Sequence, residues 1–165
     1  MLIGRIDSTS IPLLSTAAGP IKRICNFKLL GLHVDASLCW TTHINSIISK
    51  ASKRLYFLKQ LRRAGVPPQH LLHFYTSGIR PVLEYASPVW HYSITRAQTE
   101  QLETMKKRAV HIILNFTRGM SYANLLFVTN LNSVKDRLDI LSRSFFQKMS
   151  NPAACVHRCS YCQQL

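Results

Sequence analysis

Apolar residues at Ile44, Ile47, Ile48, Ala51, Leu55 and Leu58 recur at intervals of three and four, the spacing that lines one side of an α-helix. Thr41 or Thr42 is placed to N-cap that helix, and Gly65 follows as the glycine that stops it. Upstream the pattern changes. Ile11–Leu14, Ile21–Cys25 and Phe27–Val34 are short apolar runs divided by turn residues, and they predict a small antiparallel β element. Within the third run Gly31 reads as a bulge or a close backbone approach, and Asp35-Ala36-Ser37 as a turn.

Downstream, Val66-Pro67-Pro68 opens a second helix with proline in its first turn, carrying Leu71, Leu72, Phe74 and Tyr75. Gly78 and Pro81 are expected to break it, leaving Arg80–Ala86 as a separate turn or a kinked continuation. Thr95 caps a third helix that runs to about Leu114. Leu102, Met105, Ala109, Ile112, Ile113 and Phe116 form its apolar face, with Lys107, Arg108 and His111 opposite, and Thr117-Arg118-Gly119 closes it. Tyr122–Val128 predicts a short helix. Ser133, with Asp136 three residues on, opens a last one that turns Val134, Leu138, Leu141, Phe145 and Met149 inward. The expected fold class is mainly α, a small antiparallel β element followed by a bundle of four to five helices. The expected parts are a β element over 1–36, a helical domain over 37–149 and a flexible cysteine-containing tail over 150–165.

Charge sharpens this picture. The chain has 165 residues with 21 Lys plus Arg against 7 Asp plus Glu, a formal net charge of +14. Such a surface attracts nucleic acid or anionic lipid. No apolar run approaches the roughly 18 residues that suggest a membrane span. The opening MLIGRID is too short and too soon charged for a signal peptide. Nucleic acid, no membrane, and an intracellular location, nuclear or cytoplasmic, are therefore the expectations. Nothing in the pattern sets an oligomeric state. The candidate nucleic-acid-binding residues are Lys50, Lys53, Arg54, Lys59, Arg62 and Arg63 on the long helix and Lys107 and Arg108 on the third. A merely solvated basic face is one alternative, and a helical interaction module whose basic faces bind an acidic protein is another.

Catalytic patterns are sparse. Two-metal chemistry needs paired carboxylates, and Asp7, Asp35, Glu84, Glu100, Glu103, Asp136 and Asp139 include no adjacent pair. Glu100 and Glu103 read as surface charges, and Glu84 as an internal partner for a nearby arginine or a helix end. There is no Gly-x-Ser-x-Gly elbow and no glycine-rich phosphate loop. His33-x-Asp35 with His91 or His111 has the composition of a facial triad for Fe(II), but strand-end residues beside a turn is the better reading. Cys155, His157, Cys159 and Cys162 fall within eight residues, which suits a half-site or plain tail cysteines better than a closed zinc site. Cys25 and Cys39 read as small core residues. Trp40, Tyr75, Tyr85 and Trp90 read as core anchors rather than stacking platforms. No catalytic residue, metal or cofactor is assigned to the chain.

Several short motifs in order carry a resemblance. Phe27-Lys28-Leu29-Leu30-Gly31-Leu32, Leu38-x-Trp40-x-x-His43-Ile44, Ala51-Ser52-Lys53-Arg54-Leu55, Ile79-Arg80-Pro81-Val82-Leu83-Glu84-Tyr85-Ala86 and Pro88-Val89-Trp90 resemble the region after the catalytic palm in reverse transcriptases of non-LTR retrotransposons, jockey- or CR1-like. The resemblance spans about residues 20–145. It implies a primer-grip-like strand at Phe27, Leu30, Gly31 and Leu32, followed by a thumb that clamps RNA–DNA hybrid or duplex nucleic acid. It also implies that the catalytic aspartates and their Mg2+ belong to an upstream part, so that this chain is a fragment of an RNA-directed DNA polymerase without activity of its own. Segments of this type are also grouped with an N-terminal region of AlkB-type dioxygenases. That grouping would imply iron and 2-oxoglutarate, for which only the His33-x-Asp35 spacing speaks.

Overall fold

The computed structural model describes residues 15–17, 19–22, 24–114 and 121–151. The apolar stripe forms one helix, α1 (Thr41–Arg63), and Ile44, Ile47, Ala51, Leu55 and Leu58 are each at most 7% exposed. Burying a large aliphatic side chain stabilises by about 1.5–3 kcal/mol, so this stripe outweighs the modest propensity differences along the helix. Neither threonine caps it. Trp40 holds the cap position with no side-chain hydrogen bond, and its indole is buried, so packing fixes where α1 starts. At the other end Gly65 adopts φ +79°, the Gly65 N–H donates to the Arg62 carbonyl, and the Val66 N–H donates to the Leu61 carbonyl. That pair of bonds is a Schellman motif, which satisfies the last carbonyls of the helix.

Two small antiparallel hairpins precede α1. β1 (Ser15–Thr16) pairs with β2 (Gly19–Pro20), and β3 (Asn26–Leu29) pairs with β4 (Leu32–Asp35). The strand expected over Ile11–Leu14 lies outside the described residues, and the described residues of Ile21–Cys25 are not strand. Phe27–Val34 is a hairpin rather than one bulged strand. Leu29 faces Leu32 across a two-residue turn, in which Leu30 and Gly31 take φ of 47° and 86°. Positive φ at both central residues is what a type I′ turn requires, because its twist matches that of the flanking strands. Cys25 and Cys39 sit on either side of this hairpin and are exposed, not core residues.

The chain then runs through α2 (Pro68–Phe74), a π-helical turn (Tyr75–Ile79) and α3 (Arg80–Glu84) without interruption. Gly78 and Pro81 therefore do not break the helix. Proline lacks an N–H and crowds the carbonyl four residues back, and the wider π register just before Pro81 absorbs both defects. Ala86, at φ 50°, swings the chain into α4 (Ser87–Trp90). Trp90 is fully buried, and its indole N–H donates to the Tyr85 carbonyl at 2.9 Å.

A 3-10 turn (His91–Ser93) leads to α5 (Arg96–Ile113), opened by a complete capping box between Thr95 and Gln98. α6 (Tyr122–Thr129) and α7 (Val134–Met149) follow, the latter capped by Ser133 accepting from the Asp136 N–H. Phe116 and Thr117-Arg118-Gly119 fall outside the described residues, as does the run from Cys155 to Cys162. On α7 the inward face is shorter than the sequence pattern suggests. Val134 and Leu138 are buried, Leu141 and Met149 are half-buried, and Phe145 is exposed. A 16-residue helix is about 24 Å long, and its main partner α4 has only four residues.

Among the described residues the architecture is mainly α with two small antiparallel hairpins, and a single core cluster joins α1 through α5 with α7. Among the described residues no helix is long and apolar enough to cross a membrane.

Candidate nucleic-acid interface

Three side-chain contacts set how α1 and α5 lie together. Gln98 donates to the Thr41 hydroxyl, Ser52 reaches the Met105 sulfur, and Arg62 donates to the Ile112 carbonyl. These partners rise together along both helices, so α1 and α5 run parallel and end side by side. Their carbonyl ends carry the negative pole of each macrodipole, which favours cations there. The sequence supplies them.

A groove between the two C-terminal halves is lined by Tyr56, Lys59, Arg108, His111 and Ile112, with a volume of about 420 Å3. It continues into a cleft of about 330 Å3 that adds Arg62 and Arg63. No carboxylate lines either part. α1 itself contains no Asp or Glu over its 23 residues, so no carboxylate on α1 can pair with its cations.

The eight candidate residues separate into different roles. Lys50, Lys53, Lys59, Arg63 and Arg108 are exposed, and Lys59, Arg63 and Arg108 meet at the α1–α5 groove. Lys50 and Arg54 lie on the other shoulder of α1, beside a hollow of about 460 Å3 against Pro81, Val82 and Tyr85. Arg54 donates to the Gly78 carbonyl in the π turn, and Arg62 to the Ile112 carbonyl at the end of α5. Those two guanidiniums tie helices together as well as carrying charge. Lys107 stands 4.5 Å above the Tyr122 ring, a cation–π contact facing α6 rather than the groove.

Of the strand residues, Phe27 is half-exposed in β3, Leu30 and Gly31 form the hairpin turn, and Leu32 begins β4. The turn is pinned by the Tyr85 hydroxyl, which donates to the Leu30 carbonyl at 2.6 Å. A Cβ on Gly31 would stand 3.5 Å from that ring.

Carboxylates serve the fold. Glu84 accepts from Arg137 at 3.2 Å and faces Arg80 at 3.5 Å, the internal pairing expected of it. Glu103 is not a surface charge: it accepts from the Tyr122 hydroxyl and from the Val134 N–H at 2.7 Å, fixing the start of α7. Glu100 is exposed and pairs with Arg96. Asp35 accepts from the Ser37 hydroxyl at 2.8 Å and the Cys39 N–H at 3.0 Å. The Cys39 bond, then the Ser37 bond, hold its carboxyl below the usual range.

His33 and Asp35 do not gather a third ligand. Among the described residues no three His, Cys, Asp or Glu side chains come close enough to hold a metal ion, so His91 and His111 do not complete a triad. The described residues do not fit an iron centre.

Sequence reasoning missed two features. Lys106 is 2% exposed, donates to the Asn132 carbonyl, and has its basicity lowered by desolvation. Its position was legible, because it stands four residues from both Leu102 and Val110 on the buried face. Tyr56 and Phe57, both well exposed on the basic helix, were overlooked because they lie off the apolar stripe. Trp40, Tyr75 and Trp90 are buried, as core anchors should be, whereas Tyr85 is half-exposed.

Residues 40–80 match the family model described as alkylated DNA repair protein alkB homolog 8, N-terminal. The match takes in Trp40, all of α1, α2 and the π-helical turn as far as Arg80, about a quarter of the chain. No curated protein and no solved structure matches the chain. These findings overturn the reverse-transcriptase resemblance, because the matched family is not a polymerase, and the mobile-element and thumb assignments fall with it; the primer-grip reading of Phe27, Leu30, Gly31 and Leu32 loses the resemblance it rested on. Several residues of the motifs behind that resemblance, Trp40, Ile44, Leu55, Leu83 and Trp90, are core positions, where packing alone demands such side chains. What the comparisons do support is a segment similar to that alkB homolog 8 N-terminal region, centred on α1.

Proposed function

We propose that the chain is a nucleic-acid-binding helical module, built around an alkB homolog 8 N-terminal-type segment, that holds a phosphate backbone and performs no chemistry of its own. The observation that carries this reading is the α1–α5 groove, where Lys59, Arg63 and Arg108 converge with no carboxylate in the lining. The description of the matched family names a DNA repair protein, and backbone binding suits that setting. Binding rather than catalysis is favoured because the six carboxylates among the described residues all have structural partners. Cations on helix faces position a protein on nucleic acid without reading its sequence.

The test is fluorescence anisotropy of the purified chain with labelled oligonucleotides of mixed sequence across a salt series. Each phosphate contact contributes a slope of roughly −0.7 to −0.9 to log K against log salt. Lys59→Glu combined with Arg108→Glu should weaken binding across sequences and reduce the slope by about 2. Affinity that stays level as salt rises would sink the reading. Arg54→Glu is a poor probe, since it also unties α1 from the π turn.

A further inference from the structure

The α1–α5 groove has an aromatic wall as well as a basic rim. Tyr56 is 59% exposed on the second turn from the end of α1 and lines the groove with Lys59 and Arg108. A tyrosine on a surface helix ordinarily lays its ring against neighbouring apolar atoms. This one has Phe57 edge-on instead, with centroids 5.9 Å apart and planes at 73°. Edge-to-face packing holds the ring in place while leaving a face available.

We infer that the groove takes single-stranded nucleic acid, with an unpaired base stacked on Tyr56 and the adjoining phosphates on Lys59, Arg63 and Arg108. The inference rests on the binding function proposed above and sharpens its substrate class. Three considerations select a single strand over a duplex. The groove lies between two packed helices, whose axes stand about 8–10 Å apart, so it admits one strand. Its volume of about 420 Å3 is in the range of small-molecule pockets, roughly 300–1,000 Å3, and suits a splayed base. In a duplex, bases are stacked on one another and offer no face to a side chain in a groove of this kind, whereas unpaired bases stack on aromatic rings irrespective of sequence. Positive charge that tracks a backbone beside an aromatic platform is the combination that single-strand binding needs.

The experiment compares a labelled deoxythymidine 12-mer with a hairpin duplex of equal phosphate number, using the full chain and its Tyr56→Ala, Tyr56→Trp and Lys59→Glu/Arg63→Glu variants. The single strand should bind more tightly than the duplex. Tyr56→Ala should weaken single-strand binding by roughly 5- to 150-fold, the loss of one base stack, and weaken duplex binding by a clearly smaller factor. Tyr56→Trp should restore it. Because Tyr56 is mostly exposed, the alanine variant should keep the parent circular dichroism spectrum and melting temperature. Unchanged single-strand affinity in Tyr56→Ala, with both ligands weakened in Lys59→Glu/Arg63→Glu, would overturn the inference while the binding function stands. If neither variant changes affinity for either ligand, the binding function itself fails.

Discussion

Acid should unfold this protein through His43 before its carboxylates titrate. The His43 ring is 2% exposed, with the Trp40 and Trp90 rings edge-on to it, each at a centroid distance of 5.9 Å. Its Nδ1 accepts from the His33 backbone N–H at 3.4 Å, so the ring proton resides on Nε2, which finds no partner among the described residues. A second proton would have to sit on Nδ1, where it would face another donor. Desolvation, then the charges of His33 and Lys50, push the pKa down from 6.5 to about 4. Above about pH 7 the ring is neutral in both folded and unfolded chain and contributes nothing to the pH dependence. Between these pKa values the unfolded chain takes up a proton that the fold refuses, so stability falls with falling pH. The loss is about 2 kcal/mol at pH 5 and approaches about 3 kcal/mol below pH 4.

His91 acts in the same direction, held low by burial and by Lys135 against the opposing pull of Asp139. The lowered carboxyl of Asp35 matters only in stronger acid, because its stability contribution is lost as pH falls through its depressed pKa. Urea denaturation followed by circular dichroism, at about pH 8 and about pH 5, would be run on the parent and on His43→Gln. Glutamine keeps a side-chain oxygen for the His33 N–H and does not titrate. The parent should lose about 2 kcal/mol more than the variant between the two conditions. Equal losses would refute the assignment of a buried neutral imidazole.

Two further perturbations test the architecture. Leu55→Asp places a carboxylate in the buried stripe of α1 and should cost more than about 4 kcal/mol, abolishing the helical circular dichroism signal at room temperature; a parental melting temperature would show that the face is assigned wrongly. Leu30→Asn replaces an 82%-exposed side chain at φ 47° with the residue that tolerates this region best, leaving the carbonyl bond to Tyr85 intact. It should stabilise by about 0.5–1 kcal/mol, read as a higher melting temperature, whereas a lower one would contradict the turn geometry.

What the sequence made legible was whatever depends on a repeating local pattern. The α1 stripe, the Gly65 stop, the Thr95 cap and the Ser133 cap each need only a few neighbouring residues, and each is present. Gly31 was misread because a glycine in an apolar run fits a bulge or a two-residue turn equally well. Only the pairing of Leu29 with Leu32 separates them. Gly78 and Pro81 together read as helix breakers because local propensity carries no sign of the π turn that absorbs them. Charged residues were the least legible. Whether Arg62 faces solvent or ties α5 depends on where the Ile112 carbonyl lies, and Glu103 is half-buried because α6 and α7 bring Tyr122 and Val134 to it. The candidate site was therefore half visible: its cations could be named, but not their convergence on one groove or the aromatic ring beside them.

The β3–β4 hairpin has a consequence for how this protein behaves at high concentration. Every residue of β3 is exposed, and among the described residues its only strand partner is β4. An open strand edge with Phe27 and Leu29 on one face is a template for a strand from another chain. Lys28, between them and opposite His33, is the only charged residue of that strand. Stacking two copies in register would bring their Lys28 positions to within about 5 Å, and the like charges would resist it. A single ammonium thus acts as gatekeeper against self-association. Acetylating Lys28 would remove that repulsion and favour edge-to-edge pairing without altering the helical core.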